Sequence, residues 1–482
     1  MPRRPATQKT LNREWTRILE IRVNSRSLAV GILFHKIIIW MRANMTFTPL
    51  APAIQSYLDS LGMFGWQLGL ERIEKLCRFL GNPERQFPVI HVAGTNGKGS
   101  TCAILASLAR SAGLRCGLYT SPHLVHVNER IQIDGVPING EELGDVITRC
   151  RKQIDALGAT YFEALTAASF ALFAQRGIDL AIIETGLGGR LDATNVVTPD
   201  LTIITSIGLE HQQYLGQTLA EIAAEKAGII KPGKPCVSGV RQPAAREVIS
   251  RKCEEMGAEY VQVQTIAQIT ECEISRAGNR FSLAFPQSGE NLPILRLNLL
   301  GRHQIYNARL AVIGVRMLPG SRQQFSEASI RRGLERVRWP ARLQVFGEPP
   351  ILMDAAHNAD GMRVLIRALG DIFPGRRLHV VMALMNDKPI ARILRLWKSQ
   401  EVRFYFGTAP TTRSFRSHTL SAAAKELGFA CQAFESVADA LQCAASERQE
   451  GDLVCVTGSH YAIGESMAAG KLPYPYADTF LA

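Results

Sequence analysis

The sequence has no Cys-x-x-Cys pair and no His/Cys cluster at metal-ligand spacing, although it contains ten cysteines among 482 residues. These absences exclude a disulfide scaffold and a structural zinc site, and they favour reduced thiols in a cytoplasmic protein. The apolar run from Leu28 to Trp40 is interrupted by His35 and Lys36, and it is too short to span a bilayer. A clear small-residue cleavage site is missing, so a signal peptide is the weaker interpretation. We therefore expect a cytoplasmic chain without a membrane partner.

Acidic residues are scarce near the N-terminus. Residues 1–44 hold nine Lys/Arg and two acids, so they carry +7 of the net charge of +12 and leave +5 for the rest of the chain. That modest excess suits an enzyme with anionic substrates and does not demand nucleic acid as a partner. We expect the folded protein to begin near Met45, with residues 1–44 as a disordered basic extension. An Arg-rich targeting arm is the alternative.

From Pro88 onward, short β-branched runs alternate with longer helical stretches, which is the pattern of a mostly parallel sheet with helices on both faces. The shorter alternating runs of residues 260–300 predict a small antiparallel sheet, and the strand–helix alternation resumes after "RWPARLQVF". We therefore predict an α/β protein with two folded domains. We expect a P-loop-type domain over 45–341 and a smaller Rossmann-like α/β domain over 342–482.

The stretch "HVAGTNGKGSTCAIL" places three glycines around Lys98, between a predicted strand and a predicted helix. A glycine at a helix start costs about 1 kcal/mol relative to alanine, so three of them indicate close approach of the backbone to an anion. Backbone N–H groups and a lysine at a helix N-terminus are the arrangement that holds phosphates. The spacing departs from the common G-x-x-x-x-G-K-[ST] form, because Val92 stands five residues before Gly97 and Gly99 follows Lys98. The alternative is a glycine-rich turn that only connects strand to helix.

Polar residues follow several predicted strands, where ligands bind in open α/β sheets. Thr120 and Ser121 follow "CGLY", Glu184 follows "LAII", and His211 comes shortly after "IITS". A hydroxyl, a carboxylate and an imidazole there are able to share one Mg²⁺, although imidazole is an unusual ligand for this ion. Each residue also has a simpler explanation than metal binding. Glu184 would be an ordinary acid at the end of a strand, and His211 would form a hydrogen bond within a loop.

A second set of candidates lies further along the chain. From the residues alone, Lys226 near the end of a predicted helix is best explained by a favourable interaction with the helix dipole. Asp354, His357 and Asn358 in "LMDAAHN" follow another predicted strand, and Arg342 falls in the predicted linker.

Eight motifs in order over roughly residues 60–470 resemble the bacterial dihydrofolate synthase/folylpolyglutamate synthase family, a branch of the Mur ligase superfamily. They are "GTNGKGS", "YTSPHLVHVNERI", "TYFEALTAASFALF", "ETGLGGRLDATNVV", "TSIGLEHQQYLGQTLAEIAAEKAGIIKPGKP", "RWPARLQVF", "DAAHN" and "VTGSHYAIGE".

The resemblance implies a monomeric ligase that uses ATP and Mg²⁺, with two metal sites expected. ATP would phosphorylate a carboxylate of the pterin substrate, and the α-amine of L-glutamate would attack the resulting acyl phosphate. The carboxylate belongs to dihydropteroate in dihydrofolate synthesis, and it is the γ-carboxylate of a reduced folate in polyglutamylation. One alternative is an enzyme with the second activity only, and another is a Mur-type ligase for cell-wall precursors. From different classes, a nucleic-acid-coupled ATPase and a non-catalytic nucleotide-binding scaffold are weaker alternatives.

The resemblance also implies a role for each matching position. Lys98, Lys226 and His357 would take part in catalysis, and Lys226 would be carbamoylated. ATP would be bound by Gly94, Thr95, Asn96, Gly97, Lys98, Gly99, Ser100, Asn307, Arg342 and Asp354. The metal ligands would be Thr120, Glu184, His211 and Lys226. The pterin or folate would be bound by Gln67, Thr160, Tyr161, Phe162, Glu163, Leu191, Asp192 and Ala193. Asn358, next to His357 in the same loop, would help to bind the acyl phosphate or the glutamate.

Two positions depart from the family's pattern. Gln67 stands before "LGLER" where the double-activity enzymes carry an Asp, and that Asp lies in the dihydropteroate site. The resemblance therefore implies dihydrofolate synthase activity less securely than folylpolyglutamate synthase activity. Glu210 precedes His211 where Asp is frequent, which is a conservative change.

Overall fold

The structure is a computed structural model, and it describes residues 47–62, 67–318, 324–347 and 349–476. The basic extension that we predict for residues 1–44 lies outside these ranges. Within them, no helix combines the length and the apolar composition that a membrane crossing requires. All ten cysteines lie in the described ranges and are free thiols, as their spacing predicts.

Strands and helices alternate through most of the chain. The strands are β1 (Val89–Ala93), β2 (Cys116–Tyr119), β3 (Ile131–Ile133), β4 (Val136–Pro137), β5 (Leu180–Glu184), β6 (Leu201–Ile204), β7 (Cys236–Ser238), β8 (Tyr260–Gln262), β9 (Gln268–Ser275), β10 (Gly278–Phe285), β11 (Glu290–Leu297), β12 (Gln344–Phe346), β13 (Ile351–Met353), β14 (Leu378–Met382), β15 (Val402–Phe406), β16 (Ala430–Ala433) and β17 (Leu453–Thr457). The helices are α1 (Pro52–Leu61), α2 (Glu71–Phe79), α3 (Lys98–Ser111), α4 (Gly140–Leu157), α5 (Tyr161–Arg176), α6 (Gln212–Leu215), α7 (Leu219–Ala227), α8 (Pro243–Glu255), α9 (Val263–Ile266), α10 (Arg302–Arg316), α11 (Glu327–Arg336), α12 (Ala359–Ile372), α13 (Ile390–Arg395), α14 (Ser417–Glu426), α15 (Val437–Glu447) and α16 (His460–Ala468).

The strands form three sheets. An eight-stranded sheet has the order β4-β3-β2-β5-β1-β6-β7-β8, a three-stranded antiparallel sheet has the order β11-β10-β9, and a six-stranded sheet has the order β12-β13-β17-β14-β15-β16. The pairings from β2 to β8 in the large sheet are parallel, and those of β3 and β4 are antiparallel. We call the described residues up to 341 the N-terminal unit and those from 342 onward the C-terminal unit. This architecture confirms the predicted α/β class with an antiparallel subsheet.

One strand differs from the prediction for residues 260–300. Tyr260–Gln262 pairs in parallel with Cys236–Ser238 at the edge of the large sheet, and only residues from Gln268 onward form the small antiparallel sheet. An edge strand is half-covered, so its apolar alternation resembles that of a small antiparallel sheet. Sequence alternation alone therefore does not separate the two.

Local signals explain where the two central helices begin and end. Helix α3 packs against the strands and against α10 and α11, and its residues from Gly99 to Ala109 are all buried. Helix α5 begins with a capping box in which the Thr160 side chain accepts from the amide of Glu163, and it ends at Gly177 with φ +55°. The stretch "EALTAASFALFAQRG" predicts an apolar helix that ends at Gly177, and the structure confirms this end.

Candidate active site

The loop between β1 and α3 has the backbone geometry of a phosphate-binding loop. Gly94 (φ +152°) and Gly97 (φ +86°) both lie in the left-handed region, and Gly97 is the residue that begins the helix. A Cβ on Gly97 would lie 2.8 Å from Oδ1 of Asn307, and one on Gly94 would overlap the hydroxyl of Thr205. The first-turn N–H groups of α3 have no partner within the helix, so they point at the space where an anion can bind.

Hydrogen bonds to the end of β6 hold this loop in place. The amide of Thr95 donates to the carbonyl of Ser206 at 2.8 Å, and the Thr205 hydroxyl donates to the carbonyl of Asn96 at 2.8 Å. Lys98 donates from Nζ to the carbonyl of Thr95 at 3.3 Å, which folds its ammonium back over the loop. Hydrogen bonds within the protein therefore hold the backbone of this loop in one conformation.

Glu184 ends the neighbouring strand β5 beside this loop. It is buried, and Oε2 accepts from the amide of Ser121 at 3.1 Å. Burial raises the pKa of Glu184, while the Lys98 ammonium lowers it. A buried carboxylate beside a lysine at a strand end is an oxygen donor suited to a hard cation.

Thr120 is the one predicted metal ligand that does not line the cleft. The amide of Thr120 donates to the carbonyl of Arg130 at 2.9 Å, which extends the pairing of β2 with β3, and its side chain is buried outside the cleft. The next residue, Ser121, lines the cleft beside Glu184. Sequence reasoning noted Ser121 after the strand but selected its neighbour, because the direction of a side chain after a strand end depends on the turn.

His211 lies on the loop after β6 with φ +51°, a conformation that is uncommon for a residue other than glycine. Burial lowers the pKa of His211 to about 4, so the imidazole is neutral near pH 7. Neutral imidazole is the form that binds metals. Within the described ranges, no three or more His, Cys, Asp or Glu side chains cluster as a complete metal site. Any cation here therefore relies on hydroxyl, phosphate and water oxygens as well.

Lys226 reaches the phosphate loop from helix α7. It is 4% exposed and donates from Nζ to the carbonyl of Gly94 at 3.0 Å. Burial lowers the pKa of Lys226 to about 7, and the Lys98 ammonium adds to that shift. Glycine at 189 lets α7 approach, since a Cβ there would lie 2.9 Å from the carbonyl of Lys226. The structure thus places Lys226 in the cleft, whereas the residues alone favoured a helix-end lysine that interacts with the helix dipole.

The C-terminal unit supplies the opposite side of the cleft. Asp354 follows β13, is buried, and accepts from the amides of Leu343 and Ala356, both at 2.9 Å. Burial raises the pKa of Asp354, while the Arg342 guanidinium lowers it. Arg342 itself lies 3.2 Å from Nε2 of His460.

Side-chain contacts join the two units at the cleft. Asn358 donates from Nδ2 to Oδ1 of Asn96 at 3.0 Å. The Nε2 atom of His357 lies 3.3 Å from Oε1 of Glu210, and its Nδ1 atom lies 2.9 Å from the carbonyl oxygen of Ala355. Both ring nitrogens of His357 thus lie beside oxygen acceptors.

Glu210 accepts a second contact from the C-terminal unit. Lys388 lies 3.4 Å from its Oε1. Burial opposes ionisation of Glu210, but His357 and Lys388 outweigh it and hold its pKa well below its usual range. Sequence reasoning noted Glu210 only as a conservative change, and no local pattern indicated Lys388 as its partner.

The residues predicted for the pterin line the far end of the cleft. Two of their carboxylates are used internally. Glu163 accepts from the Thr160 amide at 2.8 Å and from Nε of Arg72 at 3.0 Å. Asp192 accepts from the amides of Gly186 and Leu187 at 2.9 and 2.8 Å. These two carboxylates therefore hold the backbone around them in place, and the surfaces left to contact a ligand are aromatic and apolar.

Aromatic rings and a basic pair form the remaining wall. The guanidinium of Arg130 lies 5.2 Å from the ring centroid of Tyr161, and Phe162 packs on Tyr119 with centroids 6.0 Å apart. Arg130 also lies 2.9 Å from Nδ1 of His123. Sequence reasoning missed Arg130 and His123, although both lie in the quoted motif "YTSPHLVHVNERI".

One cavity of about 1340 Å³ connects these features. Of the predicted site residues, only Thr120 and Asn358 are outside its lining. Gln67 lines the pterin end and is exposed, and its carbonyl accepts from Arg72 at 2.7 Å.

The chain matches two family models, the Mur ligase middle domain over residues 92–315 and the Mur ligase glutamate ligase domain over residues 341–460. It is 36% identical over 420 residues to the dihydrofolate synthase/folylpolyglutamate synthase of Bacillus subtilis, which covers 85% of this chain and 97% of that protein. The structure resembles E. coli FolC in complex with DHPP and ADP, with a TM-score of 0.77, 30% identity and coverage of 87% and 98%. It also resembles a bifunctional folylpolyglutamate synthase/dihydrofolate synthase with Mn, AMPPNP and L-glutamate bound, with a TM-score of 0.77, 31% identity and coverage of 88% and 98%. The chain therefore belongs to the dihydrofolate synthase/folylpolyglutamate synthase family of ATP-dependent Mur-type ligases.

Proposed function

We propose that this protein joins L-glutamate in amide linkage to dihydropteroate and to the γ-carboxylate of reduced folates, with ATP as the energy source. The two activities are those of a dihydrofolate synthase and a tetrahydrofolate synthase. The observation that carries the proposal is the single cleft in which the phosphate loop, Lys226 and Glu184 meet Arg342 and Asp354 of the C-terminal unit. At about 1340 Å³ it exceeds the usual size of a site for one small molecule, so it has room for a nucleotide and a pterin together.

In the first step, the terminal phosphoryl group of ATP moves to the substrate carboxylate, which yields an acyl phosphate and ADP. The first-turn N–H groups of α3 and the Lys98 ammonium stabilise the charge on the phosphoryl oxygens during transfer. Arg342 and Asp354 hold the nucleotide from the C-terminal unit, and Asn307, on α10 beside Gly97, holds it from the N-terminal unit. Because the loop is already fixed by Thr205 and Ser206, little reorganisation is needed at that moment.

In the second step, the neutral α-amine of L-glutamate attacks the acyl carbon. The C–N bond forms, the C–O bond to phosphate breaks with its electron pair on the leaving oxygen, and the nitrogen loses a proton. His357 stands near the domain junction with both ring nitrogens engaged, which suits electrostatic stabilisation of the leaving phosphate. Asn358 positions the phosphate loop beside it.

The donor set fits Mg²⁺ at two places. Glu184 and the hydroxyl of Ser121, in place of Thr120, would hold one ion together with ATP oxygens, and His211 and Lys226 would lie at the second. Mg²⁺ favours such sites, because it keeps several waters and takes few protein ligands. When bound, the ion would neutralise the triphosphate.

We further propose that Lys226 carries a carbamate. The ammonium first loses a proton, and the neutral amine then adds to CO₂: the N–C bond forms, one C=O π bond opens onto oxygen and a second proton leaves the nitrogen. A cation thus becomes an anion with two oxygen donors, with two protons released in all. Its burial beside Gly94 and Lys98 supports this, since an ammonium is poorly tolerated at that position. A carbamate would instead be stabilised by Lys98 and by the metal.

The pterin lies in this proposal against the aromatic surface of Tyr161 and Phe162 and the loop 191–193. Thr160, Glu163 and Asp192 act by fixing that surface. A second candidate function is polyglutamylation alone, because Gln67 occupies the pterin end of the cleft where the double-activity enzymes carry an acid. The domain boundary is proposed at residues 341 and 342. The glutamate ligase model begins at 341 and the first strand of the C-terminal sheet at Gln344, which supports this boundary.

The test is ATP-dependent phosphate release with L-glutamate, given dihydropteroate in one reaction and tetrahydrofolate in another. Release in both supports the double activity, and release with tetrahydrofolate alone supports the second candidate. Release in neither, from protein with an intact circular dichroism spectrum, contradicts both. Lys98→Met serves as the control that keeps the fold and loses the phosphate contact.

A further inference from the structure

A second cavity, of about 430 Å³, lies outside the active-site cleft, between helix α10 and residues 264–272. Arg302 and Arg309 line it from one face of α10, with Ile305 and Tyr306 between them. Residues spaced by three, four and seven positions share a helix face, so both guanidinium groups reach the same space. None of the phosphate-loop residues lines this cavity.

The two arginines lack the partners that buried arginines ordinarily have. Arg309 is 6% exposed, its Nε has no hydrogen-bond partner, and its Nη1 reaches only the carbonyl of Ala267 at 3.3 Å. The Nε of Arg302 is likewise buried without a partner, and its Nη1 contacts the sulfur of Cys272, a weak acceptor, at 3.5 Å. The cavity lining contains no Asp or Glu, and in the described part of the chain neither arginine forms an ion pair.

This arrangement is costly without an anion. A buried, unpaired guanidinium loses its hydration and gains no compensating charge. The neighbourhood adds positive charge, because Arg241 also lies over the Tyr306 ring, with its guanidinium carbon 4.4 Å from the ring centroid, against 5.9 Å for Arg309. Burial and Arg241 lower the pKa of Arg309 only to about 10, so it stays cationic near neutral pH.

We propose that Arg302 and Arg309 bind a phosphate group in this cavity, either as orthophosphate or as the phosphate of a small monoester. Two guanidinium forks match the double negative charge of phosphate better than the single charge of a carboxylate. The volume exceeds that of the bare ion and falls within the range of small-molecule sites, so a carrier group also fits. Tyr306 and Arg309 line the active-site cleft as well, so the two spaces share one wall.

The experiment uses the full-length protein with Mg²⁺ and a saturating non-hydrolysable ATP analogue, which blocks the phosphate loop. Isothermal titration calorimetry then measures binding of orthophosphate and of glycerol phosphate, with NaCl at equal ionic strength as the reference. Arg302→Met and Arg309→Met are each expected to weaken binding by about tenfold or more, the effect of losing a charged hydrogen-bonding group. Arg336→Met, at an exposed arginine near the end of α11, is the matched control and is expected to bind like the unmodified protein.

Thermal unfolding gives a second readout. Orthophosphate is expected to raise the Tm of the unmodified protein and of Arg336→Met, and to leave the Tm of the two cavity variants unchanged. If Arg309→Met fails to fold, the comparison rests on Arg302→Met, because Arg302 is partly exposed. Equal affinity in all variants, or no binding beyond that of chloride, overturns the proposal. Tighter binding of the monoester assigns the site to a phosphorylated metabolite, and equal or weaker binding assigns it to free phosphate; both outcomes support it.

Discussion

Asn358 of the C-terminal unit donates a hydrogen bond from Nδ2 to Oδ1 of Asn96 in the phosphate loop, at 3.0 Å. The same side chain caps helix α12, because its Oδ1 accepts from the amide of Gly361 at 2.7 Å. One residue thus starts a helix in one unit and touches the nucleotide loop of the other.

Asn358→Ser separates these two roles. Serine caps a helix as well as asparagine does but is too short to reach Asn96. We expect an unchanged Tm and a KM for ATP raised by about fivefold, the value of one hydrogen bond. Asn358→Ala removes the cap as well and should lower stability by about 1 kcal/mol. Steady-state kinetics and thermal unfolding check both, and an unchanged KM in Asn358→Ser would argue against a role for this contact.

Gly97→Ala is expected to abolish detectable ATP binding. Its φ of +86° is strained for alanine, and the added Cβ would lie 2.8 Å from Oδ1 of Asn307. Gly113→Ala is the matched control, because Gly113 has φ +85° and open space around it. Both variants should lose about 1–2 kcal/mol of stability from strain, but only Gly97→Ala should lose nucleotide binding by calorimetry. Equal ATP affinity in the two variants would refute the phosphate-loop assignment.

Lys226→Ala is expected to reduce turnover by about 100-fold or more, since it removes a charged group from the reaction centre. If Lys226 acts as a carbamate, added acetate should restore part of the activity of the alanine variant, because acetate supplies a carboxylate in the vacated space. Chloride at equal concentration is the control. Native mass spectrometry of the unmodified protein should show one added CO₂ that is absent from the variant. Full activity in Lys226→Ala, or no CO₂ adduct together with no acetate rescue, contradicts the carbamate.

Gln67→Asp is expected to raise kcat/KM for dihydropteroate relative to that for tetrahydrofolate. A carboxylate accepts charge-assisted hydrogen bonds from the amino and ring N–H groups of a pterin more strongly than an amide does. A rise of about tenfold in the ratio corresponds to one such bond. Gln55→Asp, at another cleft position, controls for the added charge. An unchanged ratio would show that residue 67 does not determine the preference between the two substrates.

The pair His379 and Asp452 gives a pH-dependent contribution to stability, away from the cleft. Asp452 accepts from His379 at 2.8 Å and from the amide of Gln449 at 2.9 Å, and although burial opposes it, these bonds lower the pKa of Asp452 below its usual value. A lowered folded pKa means that the stabilisation is complete above the unfolded pKa of about 4 and is lost as the pH falls through the folded pKa. Asp452→Asn should therefore cost about 1 kcal/mol above about pH 5 and progressively less below about pH 4. Urea unfolding over this pH range checks the sign, and a cost that grows toward acid would contradict it.

Much of this molecule could be predicted from local sequence. The glycines around Lys98 and the end of helix α5 at Gly177 are encoded within one turn of chain, so pattern and composition are sufficient there. The contacts of Asn96 with Asn358 and of Glu210 with His357 join residues far apart in the sequence, and no local signal reports them. The direction of Ser121 relative to Thr120 depends on the turn after a strand. The edge position of Tyr260–Gln262 depends on which sheet offers it a partner.

The central claim is that a carboxylate is activated as an acyl phosphate and then joined to L-glutamate. Dihydropteroate or tetrahydrofolate labelled with ¹⁸O in the reacting carboxylate tests it directly, with mass spectrometry of the released orthophosphate. Transfer of one labelled oxygen to each phosphate, dependent on L-glutamate and abolished in Lys98→Met, is the predicted result. Unlabelled phosphate, released while glutamate is consumed and the amide forms, would contradict the account.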